Sequence, residues 1–249
     1  MESPARSGGV LLEELTWIQA RDILKADSVV VIPLGAQSKE HGPHLRLRTD
    51  WTMAEYLKRR VCEGADVIVA PTINYHFYPA FIEYAGSTSL GEATARDLVV
   101  DIATSLARHG PRRFYVLNTG VSTRRPLGSA AEVLARSGIL LTYTDILTIS
   151  GAVAKAIREQ KEGTHADEIE TSMMLYIDPG SVDMIKATRE YPTGEGRLTP
   201  DKNGPGAYSP SGIFGDATLA TREKGEKIVE ATVQGILQEI EALRRSPLP

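Results

Sequence analysis

Two histidines and two carboxylates crowd into the stretch Lys39-Glu-His-Gly-Pro-His-Leu-Arg-Leu-Arg-Thr-Asp50, directly after the apolar run Ser28-Val-Val-Val-Ile-Pro-Leu-Gly35. Glu40, His41, His44 and Asp50 are a donor set that suits a hard or borderline divalent cation, and a loop can turn all four toward one point. An ion held there would ionise a water near neutral pH and polarise a carbonyl, which is the chemistry of hydrolysis. The same residues also have a purely structural reading, with Gly42-Pro43 as a turn, His44 as a hydrogen-bonded core histidine and Asp50 as the N-cap of the next helix. Farther along, His165-Ala-Asp-Glu-Ile-Glu-Thr-Ser172 supplies a second candidate group. Glu170 near the start of an inward-facing helix, with His165 just before it, suits one metal ligand and one proton shuttle. Asp167 and Glu168 are accounted for by the favourable field of a helix N-terminus.

The elements that must position these residues alternate between apolar runs and helical periods, the pattern of a parallel sheet covered by helices. Leu11 to Lys25 reads as a helix and Ser28 to Leu34 as a strand buried on both faces, because its β-branched run has no polar interruption. A helix from Asp50 to Glu63 carries Met53, Leu57 and Val61 on one face, and a strand from Asp66 to Ala70 closes the first β-α-β unit. The stretch 74–91 is rich in Tyr, Phe, Pro and Gly without a sustained period, so it reads as a functional loop. A helix from Ala93 to Arg108 stops at Gly110-Pro111. Strands follow at Arg113 to Asn118 and Ile139 to Tyr143, with helices at Leu127 to Arg136, near Ser150 to Gln160, and at Glu168 to Ile177. The stretch 189–215, punctuated by four prolines and several glycines, reads as a loop that forms a lid or an oligomer contact. Thr221 to Arg244 is a final amphipathic helix. In open sheets of this kind, ligands bind outside the carboxyl ends of the strands, which is where the His41 cluster falls.

Composition narrows the function class. The 249 residues carry 28 Lys and Arg against 32 Asp and Glu, a net charge of -4, and the basic residues are dispersed. Nucleic acid is a poor partner for such a surface. Cys62 is the only cysteine, so neither an intrachain disulfide nor a thiolate metal cage is available, and a reducing cytosol is the expected compartment. No apolar run reaches the ~20 residues of a membrane span, and the N-terminus lacks the apolar stretch of a signal peptide. One domain is expected over 10–249, after a flexible lead over 1–9.

The chain resembles the creatininase (creatinine amidohydrolase) family. The resemblance rests on Pro33-Leu-Gly35, His41-Gly-Pro-His-Leu45 with Asp50, Gly86-Ser-Thr-Ser-Leu90, Asn118, His165 to Ser172, and Gly215-Asp-Ala-Thr-Leu-Ala-Thr-Arg-Glu-Lys-Gly225. It implies a three-layer α/β/α sandwich on a mainly parallel sheet. It further implies a hydrolase with one or two divalent ions (Zn, Mn or Fe) that opens an amide C–N bond in a small, polar, cyclic substrate by metal-activated water. Carried over by position, Glu40, His41, Asp50 and Glu170 become the metal ligands, with Asp50 bridging two ions, and His165 and Glu170 become the catalytic pair. The long loop supplies His76 and Tyr78 as substrate contacts, and Arg124 stands at the mouth after the third strand for an anionic group. Relatives of this kind form closed homo-oligomers, often hexamers.

Two departures from the family pattern stand out. A Glu is expected two residues before His41, and that place is Lys39, which leaves Glu40 to reach the metal through a bulge. The pattern Asn-Gly-His-Gly-Gly-Asn becomes Asn118-Thr-Gly-Val-Ser-Thr123, so Gly120 stands where a metal histidine is expected, and His76 is a possible substitute. These changes keep two other readings open: hydrolytic opening of an activated cyclic ketone, and a non-catalytic family member that binds a small molecule or stabilises an assembly.

Overall fold

The computed structural model describes residues 8–249. The expected lead over 1–9 falls mostly outside them, although Gly9 is held by a backbone hydrogen bond from its N–H to the Cys62 carbonyl, 2.6 Å. The centre is a five-stranded parallel sheet in the order β1-β3-β2-β4-β5, formed by Val10–Leu11, Ile68–Val69, Val29–Leu34, Arg113–Asn118 and Leu140–Tyr143. All six residues of β2 are buried, as a strand with neighbours on both edges and helices on both faces requires.

The pleat sorts the core into two layers. Val29 and Val31 of β2, with Tyr115 and Leu117 of β4, face one side. There they pack against α2 (Thr49–Gly64), α6 (Glu168–Ile177) and α7 (Arg222–Arg245), through residues such as Leu57, Met174, Ile228 and Ile236. Val30, Ile32, Phe114 and Val116 face the other side, against α3 (Glu92–Ala107) and α4 (Arg124–Ala135). The result is the expected α/β/α sandwich.

Local signals explain where the elements differ from expectation. The first helix, α1, is shorter than the predicted span and runs from Trp17 to Ile23, because Thr16 and Gln19 close a capping box that starts it there. Val10–Leu11 is pulled into the sheet beside β3 instead. A short helix, α5, covers Gly151–Ile157. The stretch 189–215 holds small pairings that its proline and glycine content conceals: β6 (Arg189–Glu190) runs antiparallel to β9 (Gly215–Asp216), and β7 (Leu198–Thr199) parallel to β8 (Ala207–Tyr208). Among the described residues, no helix is long and apolar enough to cross a membrane.

Topology selects the site. From β2 the chain moves to β3 on one side, then crosses to β4 and β5 on the other, so the order reverses between β2 and β4, whose last residues Leu34 and Asn118 are paired. Such a switch point leaves a crevice at the strand ends. Gly35 brings α2 tight against it, since a Cβ there would lie 2.3 Å from the Asp50 carbonyl oxygen.

Candidate metal centre

Asp50 lies in the first turn of α2 and is not its cap: Arg48 takes the cap position, and the Asp50 side chain turns inward, fully buried. One oxygen, Oδ1, lies 3.0 Å from His41 Nε2, and the other, Oδ2, lies 2.7 Å from Lys39 Nζ. Oδ2 receives no well-directed hydrogen bond, so the contact with Lys39 is an ion pair held by charge. The ammonium also stacks over the rings of Phe81 and Tyr78, at 4.8 and 5.7 Å.

Both ring nitrogens of His41 face acceptors. Nδ1 lies 2.9 Å from the Lys39 carbonyl, which can only accept, so Nδ1 carries a proton. Nε2 lies between two carboxylates, 3.0 Å from Asp50 Oδ1 and 3.6 Å from Glu170 Oε1, so that it either carries a second proton or faces a cation. Three acceptors facing one another repel unless a proton or a metal ion lies among them. Burial and the neighbouring Lys39 lower the His41 pKa, yet Asp50 and Glu170 outweigh them and raise it to about 9. In the other direction, His41, His165 and Lys39 overcome burial and hold the Glu170 carboxyl well below the ordinary range. Lys39, His41, Asp50 and Glu170 are each pushed toward the charged form by the others, against the effect of burial.

Glu170 and His165 come from the start of α6. Asp167 caps that helix, its Oδ1 accepting from the backbone N–H groups of Ile169 and Glu170, both at 3.0 Å. Ala166 just before it has φ +47, a left-handed conformation rare for a residue with a Cβ. This kink presents the Ala166 N–H to Glu170 Oε2 at 2.6 Å and turns His165 inward. Glu168, buried at the same helix start, is bound by Lys224 at 2.5 Å and by the backbone N–H groups of Glu159 and Gln160, so it belongs to the scaffold.

His165 has a carboxylate behind it. Its Nε2 donates to Glu40 Oε2 at 2.9 Å, which leaves the Nδ1 lone pair facing Glu170 Oε2 at 3.6 Å. The Glu40 side chain also accepts from the Gly42 N–H. The expectation that Glu40 would reach the metal is therefore corrected: both its oxygens are engaged, and it orients a histidine instead of joining the ligand cluster. Its carboxyl stays ionised, because the His165 contact overcomes the effect of burial.

Ligand atoms of His41, His165 and Glu170 lie within 4.8 Å of one another. With bonds of ~2.0–2.1 Å, ligands around a tetrahedral ion stand about 3.3 Å apart. The 3.0 and 3.6 Å spacings about His41 Nε2 bracket that value. The residues therefore fit one divalent ion.

A cavity of about 620 Å³ opens over the cluster, with Lys39, His165, Glu170 and Tyr78 in its lining. Most of its wall is apolar, from Met53, Ile146, Leu147, Ile169, Met173 and Phe214. The other expected contacts lie elsewhere. His76 is buried with Nε2 on the Ala95 carbonyl at 3.0 Å, does not line the cavity, and does not substitute for the missing histidine. Burial lowers its pKa to about 4, so it is a neutral core histidine. Arg124 pairs with Asp145 at 2.6 Å and likewise does not line the cavity. His44 is a core residue, bound to Thr171 Oγ1 at 2.8 Å. Lys39 is the participant that sequence reasoning treated only as a departure. Its signal was a lysine set next to Glu40 in the strand-end loop that leads to Asp50.

The sequence model of the family described as creatinine amidohydrolase matches residues 13–240. The chain belongs to the creatininase family. It is 30% identical to the creatinine amidohydrolase of Pseudomonas putida, over 94% of this chain and 97% of that one. It is also 30% identical to the mycofactocin precursor peptide peptidase of Mycolicibacterium smegmatis, over 85% and 84% of the two chains. A solved structure of creatininase with Mn superposes with a TM-score of 0.75 at 27% identity, covering 96% of this chain and 100% of that chain. A Zn-Zn type of a creatininase mutant gives 0.73 at the same identity and coverage. Within this family the chain is a metal-dependent hydrolase of a small substrate, using one or two divalent ions.

Proposed function

We propose that this creatininase family member hydrolyses an amide C–N bond in a small cyclic substrate, with His41, Asp50 and Glu170 holding a divalent ion. The observation that carries the reading is the position of His41 Nε2, set between the two carboxylates beside the cavity. When bound, such an ion polarises a carbonyl and brings a water to ionisation near neutral pH.

The remaining roles fall to the chain's own side chains. His165 receives a proton at Nδ1 and returns it to the leaving nitrogen, while Glu40 at Nε2 stabilises the imidazolium that forms. Tyr78 lines the cavity with a buried hydroxyl that has no partner, so it is placed to bond the substrate. The apolar wall favours a substrate with an apolar body behind its reacting amide. Ring-ketone opening has one relative on its side, the 3-dehydro-scyllo-inosose hydrolase of Thermotoga maritima at 27% identity, but the two relatives at 30% are named for amide and peptide hydrolysis, and a donor set that fits an ion speaks against a purely non-catalytic role.

The proposal extends to one domain over 10–249, a cytoplasmic location and a closed homo-oligomer. Exposed Trp17 and Ile185, 72% and 97% accessible, are apolar groups that association would cover. In the aromatic stretch 75–81, Phe77 and Tyr78 are buried and Tyr75 remains exposed. Light scattering of the purified chain tests the assembly, and a monomer would end that part of the proposal.

The main test is metal content per chain by plasma mass spectrometry, on protein purified without chelator or metal-affinity resin, followed by a screen of cyclic amides and lactams. A divalent ion present in the wild type and lost in His41→Ala supports the reading. A wild type that neither carries nor takes up Zn, Mn or Fe overturns it.

A further inference from the structure

We infer that the Lys39 ammonium is a built-in second cation, so that the site takes one divalent ion per chain instead of two. This rests on the metal-dependent reading above and narrows it. Asp50 carries the argument, because its two oxygens face two different cationic positions. Oδ1 faces His41 Nε2 at 3.0 Å and the ligand cluster beyond it, and Oδ2 faces Lys39 Nζ at 2.7 Å. A carboxylate that would otherwise bridge two ions bridges one ion position and one lysine.

Three further observations bear on the second position. Lys39 is held there by its surroundings: the side chain is 6% accessible, and the rings of Phe81 and Tyr78 flank the ammonium. Gly120 offers no ligand, and a side chain there would crowd its neighbours, since a Cβ would lie 3.0 Å from the Thr123 side chain and 3.3 Å from Tyr78 Cε1. The Tyr78 ring thus fills the space beside Gly120 and flanks the lysine at once. Finally, among the described residues the candidate ligand atoms gather at one place, where Asp50 Oδ1 and Glu170 Oε1 flank His41 Nε2 and His165 stands beside them.

The substitution also changes what the second position does in the reaction. A lysine ammonium cannot ionise a water at neutral pH, but its fixed charge on the cavity wall can stabilise an oxygen that gains negative charge during attack on the carbonyl. The ion position keeps the water chemistry, and Lys39 keeps part of the electrostatics.

Titration of metal-free protein with Mn(II), followed by calorimetry and electron paramagnetic resonance, tests the inference. The expected result is one ion per chain with the six-line spectrum of an isolated Mn(II). Two ions per chain, or a spin-coupled spectrum, would overturn the inference and leave the hydrolase reading standing. No binding of Mn(II) or Zn(II) would instead overturn the hydrolase reading and this inference with it. Lys39→Met removes a like charge next to the ion, and its affinity for the one ion should rise at least tenfold, whereas Lys39→Arg should stay within about threefold of wild type. A Lys39→Met affinity equal to or weaker than wild type means that Lys39 is not acting as a cation there. If Lys39→Met does not fold, the wild-type stoichiometry and spectrum decide the matter.

Discussion

The loops that leave β2 and β4 start side by side, at the paired residues Leu34 and Asn118, yet they have opposite characters. The β2 loop gathers Lys39, Glu40, His41 and Asp50 into a cluster whose charges are balanced only collectively. The β4 loop is closed upon itself. The Asn118 amide donates to the Gly120 and Thr144 carbonyls at 2.7 and 3.1 Å, and its oxygen accepts from Gly120 N–H and Thr123 Oγ1 at 3.1 and 2.7 Å. Thr119 Oγ1 ties this loop to Leu34 at 3.1 Å and to the Asp50 carbonyl at 3.3 Å. A switch point offers two adjacent strand ends for chemistry, and this chain spends one on reactive groups and the other on holding them still.

Breaking the first loop should have the largest effect. Asp50→Ala removes a ligand and strands a buried ammonium, so metal should be lost, turnover should fall by at least ~10³-fold, and stability should drop by ~3–5 kcal/mol. Metal analysis, kinetics and denaturant unfolding read the three separately. Asn118→Ala should cost about 2–3 kcal/mol, because it leaves buried polar partners unmatched, while the folded fraction keeps its ion and most of its turnover. If Asn118→Ala loses metal as completely as Asp50→Ala, the division of labour between the loops is wrong.

Smaller changes sharpen the contrast. His76 is neutral in the folded chain, with a pKa lowered to about 4 by burial against an unfolded value of ~6.5. Its contribution is fully present above pH ~6.5 and is lost as pH falls toward 4, since the unfolded chain binds the proton more readily. His76→Gln should therefore flatten the fall of stability across that window by ~3 kcal/mol and leave metal content unchanged. Glu40→Gln keeps the hydrogen bond to His165 but removes its charge, and turnover should fall roughly 10–100-fold with the ion retained. The smallest effect is expected from Tyr78→Phe: KM rises about fivefold while stability is unchanged or slightly improved, because the lost hydroxyl has no partner in the free chain.

Much of this was legible in the sequence, for identifiable reasons. β2 and β4 are uninterrupted apolar runs, and α7 carries its apolar stripe for 24 residues, so long patterns marked them clearly. The two-residue β1 was missed because so short a strand has no period and exists only through its pairing with β3. The pairings within 189–215 were hidden for the same reason. In the site, residue types announced a metal centre, and His41, Asp50, His165 and Glu170 do converge. The role of Glu40 was not legible, because its partner His165 lies 125 residues away and only the tertiary fold brings the two together. His76 was assigned to the substrate from its place on the long loop, and only the fold shows that its ring turns inward to the Ala95 carbonyl.

The ion pair between Lys39 and Asp50 has a consequence for the life of the polypeptide before any cofactor is delivered. A carboxylate sealed in the interior ordinarily waits for a cation from outside before the chain around it can settle. Here half of that demand is written into the chain, on the side chain of Lys39 two residues before His41. The newly made protein can close over its own centre under metal starvation, and the later arrival of an ion completes a pocket that has already formed.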